Sequence, residues 1–231
     1  MNIIWYGQSF FQILSQKGKG KQVKIVIDPF NEKIGLKPPL LEADILLISH
    51  SHENHNNIKA IKGSPSQISG KLERASPFLI QGPGEYEIKE VFIEGIPAFH
   101  DALAGKERGK TTIYTIEIEG MKICHLGDLG QKELSDEQSE QIGNVDILMI
   151  PIGGIYTISA KEAAKIISQI EPKIVIPMHY QIPKLKIKLE GLDKFLKTMG
   201  VKSPEILNKF SIQQKNLPTE GMKIVVLKVT H

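Results

Sequence analysis

The amino-acid sequence predicts an α/β protein in which strands dominate the first half and helices enter in the second. Three observations carry this. Short apolar or alternating runs, separated by Gly-containing turns, follow one another from Asn2 to His125. Clear helical stripes appear only after Ser159. Finally, the run Ala43-Asp44-Ile45-Leu46-Leu47-Ile48 is echoed by Val145-Asp146-Ile147-Leu148-Met149-Ile150. Both runs lead into loops, one carrying a histidine cluster and the other Pro151-Ile152-Gly153-Gly154. Such an echo suits a sandwich of two similar β-rich halves with helices outside.

The elements follow in order. Asn2 to Tyr6, Phe10 to Ser15 and Val23 to Ile27 read as short strands, with Lys17 to Lys21 as a hairpin turn between the last two. Ala43 to Ile48 reads as a strand buried on both faces, since its apolar run is continuous. Pro77 to Ile80, Tyr86 to Ile88, Val91 to Ile96, Thr111 to Glu119 and Met121 to His125 continue the pattern. Ala104 to Lys110 reads as a mobile polar loop and Glu119-Gly120 as a tight hairpin turn. Ser135 to Ile142 is a short helix. Ser159-Ala160-Lys161-Glu162 is a capping box opening a longer one, with the apolar stripe Ala163, Ile166, Ile167 and Ile170 and with Pro172 past its end. Leu192, Phe195, Leu196 and Met199 form another stripe, closed by Gly200. Lys184-Leu185-Lys186-Ile187-Lys188 alternates as an exposed strand would.

The 231 residues suffice for one domain with a substantial core, and nothing reads as a linker, so residues 1–231 are taken as a single domain. The net charge of +3 does not announce nucleic-acid binding. From Gln181 to His231 ten lysines face four acids, but Arg74 and Arg108 are the only arginines in the chain. A surface reading phosphates or bases more often uses arginine, so these lysines are read as solvating an outer face. The single cysteine, Cys124, cannot form an internal disulfide and suits a reducing compartment; within Met121 to Cys124 it reads as a small buried apolar residue. No apolar stretch is long enough to span a membrane and no signal peptide is visible, which points to the cytoplasm.

The most informative segment is His50-Ser51-His52-Glu53-Asn54-His55, directly after an apolar run. His50 and His52 leave an extended segment on the same face, and a tight loop brings His55 beside them. Imidazole nitrogen at this density suits a borderline metal such as zinc. His100, His125 and His179 also follow strand-like runs.

This spacing resembles the metallo-β-lactamase superfamily, whose signature is His-x-His-x-Asp-His. The resemblance runs along nearly the whole chain. Val23 to Pro29 resembles the family's early strand ending in an acid, Gly95 to His100 the segment carrying the third histidine, His125-Leu126-Gly127-Asp128 the Gly-Asp motif, and Ile176-Pro177-Met178-His179-Tyr180 the segment with the last histidine. The Gly82-Pro83-Gly84-Glu85-Tyr86 turn and the Pro-Met-His-Tyr segment are most similar to the branch containing ascorbate-6-phosphate lactonase. The resemblance implies an αββα sandwich of two mixed β-sheets flanked by helices. It implies one divalent cation, zinc or else manganese, held by His50, His52 and His100. A second would be held by His55, Asp128 and His179, with Asp128 reaching both. The chain departs from the signature at Asn54, where the family has Asp. An amide is a neutral, weaker ligand, so the second position is weakened, and the count is one or two ions.

This ligand set implies a hydrolase in which a metal-bound hydroxide attacks a small ester, lactone or phosphoester. Asp128 and Asn54 sit at the chemistry. Asp28 reads equally as an acceptor behind a ligand or as a turn cap before Pro29, and His125 as a supporting or core residue. Tyr180 is a candidate donor to substrate. Two other readings stay open: a nuclease or phosphodiesterase of the same fold, and a metal-binding protein whose activity Asn54 weakens. A small-molecule substrate is favoured over nucleic acid, no membrane partner is expected, and a homo-oligomer stays open.

Overall fold

The computed structural model describes residues 1–16, 22–68, 71–74 and 76–230, so the turn read at Lys17–Lys21 lies outside the described residues. The chain opens with β1 (Asn2–Gly7), β2 (Phe10–Gln16), β3 (Gln22–Ile27), β4 (Leu41–Ala43) and β5 (Ile45–Ile48). Next come β6 (Ile61–Gly63), β7 (Pro65–Ile68), β8 (Lys71–Arg74) and β9 (Phe78–Gln81). A meander follows: β10 (Gly84–Ile88), β11 (Val91–Phe99), β12 (Lys110–Ile118) and β13 (Met121–His125). The rest alternates: α1 (Asp136–Ile142), β14 (Ile147–Pro151), α2 (Ala160–Ile170), β15 (Ile174–Met178) and α3 (Leu192–Thr198). The short strands β16 (Glu205–Leu207) and β17 (Phe210–Ser211) and then β18 (Lys223–Leu227) complete it.

Two mixed sheets result. One has six strands in the order β17-β1-β2-β3-β5-β9, the other eight in the order β10-β11-β12-β13-β14-β15-β18-β16. β4 pairs with β6, and β7 with β8, as separate two-stranded ribbons. Both large sheets are mixed for the same reason. Hairpins supply antiparallel pairs, and crossovers supply the parallel pairs β3-β5-β9 and β13-β14-β15. Tyr114 of β12 ties the sheets together: its hydroxyl donates to the Ile48 carbonyl oxygen at 2.8 Å and accepts from the Gly82 N–H at 3.0 Å. Phe11 meets His125, and Trp5 meets Tyr180, across the same interface.

The internal echo has a structural counterpart. Asp44 donates its N–H to the Lys24 carbonyl at 2.8 Å and accepts the Lys24 N–H at 2.8 Å. Asp146 does the same with Lys122, both at 2.9 Å. Each aspartate carbonyl then accepts from the next parallel strand, from Phe78 and Ile174 respectively. The echo thus marks two equivalent parallel crossovers, one per sheet. It also corrects the reading of Ala43 to Ile48 as one strand. Asp44 bonds to the β3 backbone and breaks the run, leaving Ala43 in β4 and the fully buried Ile45–Ile48 in β5.

Helix termini follow the sequence signals. Ser135 and Ser159 both close reciprocal capping boxes, with Gln138 and Glu162. α2 buries Ala163, Ile166, Ile167 and Ile170, the stripe read from the sequence. Among the described residues no helix is long and apolar enough to cross a membrane. The β12–β13 hairpin turns through Glu119 (φ 52°) and Gly120 (φ 71°), the two positive φ values of a type I′ turn.

Two other readings need correction. Lys184 to Lys188 is not a strand. Leu185 and Leu189 are buried, so the alternation is real, but the segment bonds irregularly to Ile34, Ile182 and Gln181 rather than to a strand partner. The loop Ala104 to Lys110 is organised rather than loose. Asp101 accepts the N–H groups of Leu103, Gly105, Glu107 and Arg108 within 3.0 Å, and His100 and Gly109 close its base. The Arg108 N–H, with the other three, holds the Asp101 carboxyl at about 2.

Cys124 lies in β13 with no exposure, and burial pushes its thiol up to about 12. At pH 8 the thiolate fraction is then about 10⁻⁴. Folded protein should resist alkylation by iodoacetamide and react only once unfolded. Rapid labelling of the native chain would contradict this placement.

Candidate metal centre

All the histidines of the cluster sit where strands end. His50 follows β5, His100 follows β11, Asp128 follows β13 and His179 follows β15. β5 and β15 end parallel runs, so their carboxyl ends open toward the same edge, the usual place for a site in such sheets. The exit from β15 is tight. His179 adopts φ 50°, and a Cβ at Gly153 would run into its carbonyl oxygen. Gly153 therefore serves close packing beneath His179, as a turn residue.

The side chains converge as two groups. Ligand atoms of His50, His52 and His100 lie within 4.8 Å of one another, and those of His55, Asp128 and His179 do likewise. One oxygen, Asp128 Oδ2, reaches both. It lies 3.1 Å from His55 Nε2, 3.2 Å from His179 Nε2, 3.6 Å from His100 Nε2 and 4.0 Å from His50 Nε2. Its partner oxygen Oδ1 accepts from the Ser9 hydroxyl at 2.9 Å, which fixes the carboxylate plane.

Behind the ligands stands Asp28, at the end of β3 and fully buried. It accepts the Ser49 N–H at 2.7 Å and the Ser49 hydroxyl at 2.5 Å. With the hydroxyl proton committed to Asp28, Ser49 Oγ accepts from His50 Nδ1–H at 2.9 Å. His55 Nδ1 lies 3.5 Å from Asp28 Oδ2. One carboxylate thus turns the Nε2 lone pairs of two histidines toward Asp128. Asp28, His50 and His55 also meet as a third group. Since the Asp28 oxygens are already engaged by Ser49, it acts as an orienting acceptor.

His125 is buried, with Nε2 3.0 Å from the Ser9 carbonyl oxygen and Nδ1 accepting the Gly127 N–H at 3.1 Å. This pairing makes Nε2 the protonated nitrogen and shapes the turn that presents Asp128. Tyr180 is not brought to the site. It packs against Trp5, at a ring distance of 5.1 Å, and lines a separate apolar cleft with Leu36 and Ile182. Beside His179 the chain turns it into the core, so its role as a substrate donor is withdrawn.

The protonation pattern suits a metal. Burial, reinforced by a nearby charge on His55, lowers His50 to about 3. Burial likewise lowers His100 to about 4 and lowers His52. All three are neutral imidazoles at pH 7, the ligand form. For His55, burial alone would lower the pKa, but the Asp128 charge and the bonds to Asp128 and Asp28 win and raise it to about 10. The buried Nε2 atom of His50 has no hydrogen-bond partner among the described residues, as a nitrogen aimed at a cation would not. The residues present fit a divalent ion.

His52, His100, Asp128 and His179 from the two groups reach a cavity of about 460 Å³ and form its floor. His52, Asn54, His100, Asp128 and His179 line it, with Asn31, Lys33, Ile34, Glu53, Arg108, Tyr156 and Ile187 as walls and rim.

Residues 2–179 match the β-lactamase superfamily domain. A UPF0173 metal-dependent hydrolase of Thermococcus onnurineus is 32% identical over 90% of this chain and 96% of its own length. The chain belongs to this family of metal-dependent hydrolases. A solved structure from Thermotoga maritima, a candidate Zn-dependent hydrolase of the metallo-β-lactamase superfamily, is 35% identical, with a TM-score of 0.74 over 98% of this chain and 97% of that one. A metallo-β-lactamase fold protein from Bacillus subtilis, 11% identical, shares the fold with a TM-score of 0.60 over 100% of this chain and 98% of its own.

Within this metallo-β-lactamase fold, four contributors were not legible in the sequence: Ser9, Ser49, Arg108 and Tyr156. A serine beside a motif histidine carries no signal of its own, and Ser9 meets Asp128 across 119 residues. Arg108 had one cue, as one of only two arginines. Asp28→Asn keeps an acceptor for the Ser49 N–H but removes the charge that orients His50 and His55. It should weaken zinc binding by about 10- to 100-fold, read by chelator competition. Unchanged affinity would reduce Asp28 to a turn cap.

Proposed function

We propose that this chain hydrolyses a small ester, lactone or phosphoester with one or two divalent cations, zinc or manganese, held at the two side-chain groups. The observation that carries the reading is Asp128 Oδ2, set among four histidine nitrogens at 3.1–4.0 Å on the floor of a cavity. A bound divalent cation supplies Lewis acidity, lowering the pKa of a coordinated water from near 16 toward roughly 7 and polarising the oxygen under attack. The chain's residues do the rest. His50, His52 and His100 offer three neutral nitrogens. His55 and His179 offer two more, and Asp128 joins the groups. Asp28 and Ser49 hold ring orientation. Asn54, lining the cavity, offers an amide oxygen where a carboxylate would add charge. The cavity's size fits a small molecule.

A nuclease reading has less support. The ten lysines between Gln181 and His231 are all exposed, and none lines the cavity. The single buried cysteine favours the cytoplasm.

The test is metal analysis on protein purified without chelator, paired with turnover of an ester, a lactone and a phosphodiester. At least one equivalent per chain is expected, with chelator-sensitive turnover of one class. Bound metal with no turnover in any class would favour a metal-binding protein weakened at Asn54. Absence of metal would overturn both.

A further inference from the structure

The hydrolase reading leaves the cavity wall unused, and one charged group stands out there. Arg108 lines the cavity beside His52 and His100. It sits on the loop that Asp101 winds up, and its own N–H is one of the four that Asp101 accepts, at 2.8 Å. The loop's base is the pair His100 N–H to Gly109 carbonyl at 3.0 Å, so the residue that follows Arg108 is bonded to the backbone of a metal-group histidine. Its guanidinium lies over the Tyr156 ring, 5.7 Å from the centroid, which braces the planar fork from one side. Its positive charge is felt at His52, whose pKa it helps to lower.

The charges around Arg108 point to its ligand. The other cation on the wall, Lys33, is paired with Glu53 at 2.6 Å. Among the described residues, Glu53 and Asp128 are the only acids lining the cavity, the one paired with Lys33 and the other set among the histidines. Among the described residues the one acid that Arg108 pairs with is Glu107, by a single contact of 3.3 Å from the half-buried guanidinium to an exposed carboxylate that does not line the cavity. Such a pair is worth little and yields readily. A guanidinium held on a rigid loop, backed by an aromatic ring and lacking a strong partner, is built to take a planar or tetrahedral anion bidentately. Ile34, Ile187 and Tyr156 give the same cavity apolar lining.

We propose that Arg108, braced on Tyr156, is the specificity-determining residue of this cavity. It binds a carboxylate or phosphate group of a small substrate whose scissile bond lies at the histidine cluster. The proposal rests on the hydrolase reading for the word substrate, but the binding geometry does not need turnover. The substrate class narrows from any small ester or lactone to one carrying a second, anionic end.

The experiment uses zinc-loaded protein and two arms. In the first, calorimetry compares glutarate with its monomethyl ester; both can present one carboxylate to the floor, and only glutarate has a second for Arg108. The parent should prefer glutarate by about 10- to 100-fold, the worth of one charge-assisted contact. Arg108→Gln should bring that preference to within about twofold, and Arg108→Lys, which keeps charge but loses the fork, should fall between. 3-Phosphonopropionate in place of glutarate names the preferred anion by its tighter binding. In the second arm, the ratio of kcat/KM for 4-nitrophenyl hemiglutarate over 4-nitrophenyl acetate should fall by about the same factor in Arg108→Gln. No turnover of either ester would count against the hydrolase reading, while the first arm still decides Arg108. A parent without preference for the diacid, or a preference unchanged in Arg108→Gln, would overturn the proposal. A variant that loses thermal stability while keeping the preference would overturn it too, because Arg108 would then only staple the loop to Tyr156.

Discussion

Asp128→Asn should reduce turnover by at least about 10³-fold and lower the metal content of the protein together with it. The reason is geometric. A single oxygen of this residue reaches His55, His179, His100 and His50, so it belongs to both ligand groups at once. Asparagine keeps the volume and one acceptor, and the Ser9 hydroxyl can still bond to it. What disappears is the negative charge that offsets a cation in a fully buried site. Nearby His179 and His55 charges, against a burial term that acts the other way, hold the Asp128 carboxyl well below the usual carboxylate range, so it is ionised at any working pH. The measurement is metal stoichiometry and kcat/KM side by side on parent and variant. Full metal content with near-parent turnover would show that Asp128 bridges nothing.

Asn54→Asp should act in the opposite direction, strengthening the second position by about 10- to 100-fold and raising turnover. A carboxylate beside a divalent cation contributes a full charge, where an amide contributes a dipole. The two positions start unequal for a second reason, visible in His55. Metal requires its neutral form, and in protein stripped by a chelator the neighbouring Asp128 and Asp28 hold a proton there up to about pH 10. The sign follows: below pH 10 the proton competes, so binding at His55 weakens as pH falls, by about tenfold per unit, with one proton released per ion bound. His50 and His100, lowered to about 3 and 4, impose no such competition at pH 7. Titration of stripped protein with zinc should therefore show a pH-independent first step and a weaker, pH-dependent second. In Asn54→Asp the second step should tighten, and Asp128→Asn in the same chain should cancel the gain. Two equal, tight steps in the parent, or an unchanged second step in Asn54→Asp, would show that position 54 does not govern the site.

Much of this was legible because its signals are local. The capping box at Ser159, an apolar stripe at helical spacing and a two-residue hairpin turn each need only a few neighbouring residues, and each stands where the sequence puts it. The ligand set was legible because five histidines and an aspartate lie at strand exits or in the loops that follow them, in motifs that the family shares. Failures came where partners are distant. β16 and β17 are two or three residues long and exist only through pairing with β18 and β1. Lys184 to Lys188 alternates like a strand because an irregular segment can also bury every second residue against a neighbouring loop.

By itself, then, the sequence determined the class of fold, the strand and helix signals and the residue types of a metal site, since periodicity, capping and motif spacing act over a few residues. The tertiary structure alone decided which side chains share an oxygen and which turn away. Tyr180 goes to the core because Trp5 offers it apolar surface. Asp28 reaches His50 through Ser49 and His55 directly because β3 and β5 run parallel in register, Ile27 beside Leu47. Arg108 reaches the cavity because four backbone N–H groups wind its loop around Asp101. The first two depend on contacts between segments that no local spacing encodes, where the free energy comes from closing a particular arrangement of whole strands; the third is a local loop whose place beside the cavity the strands on either side, β11 and β12, decide.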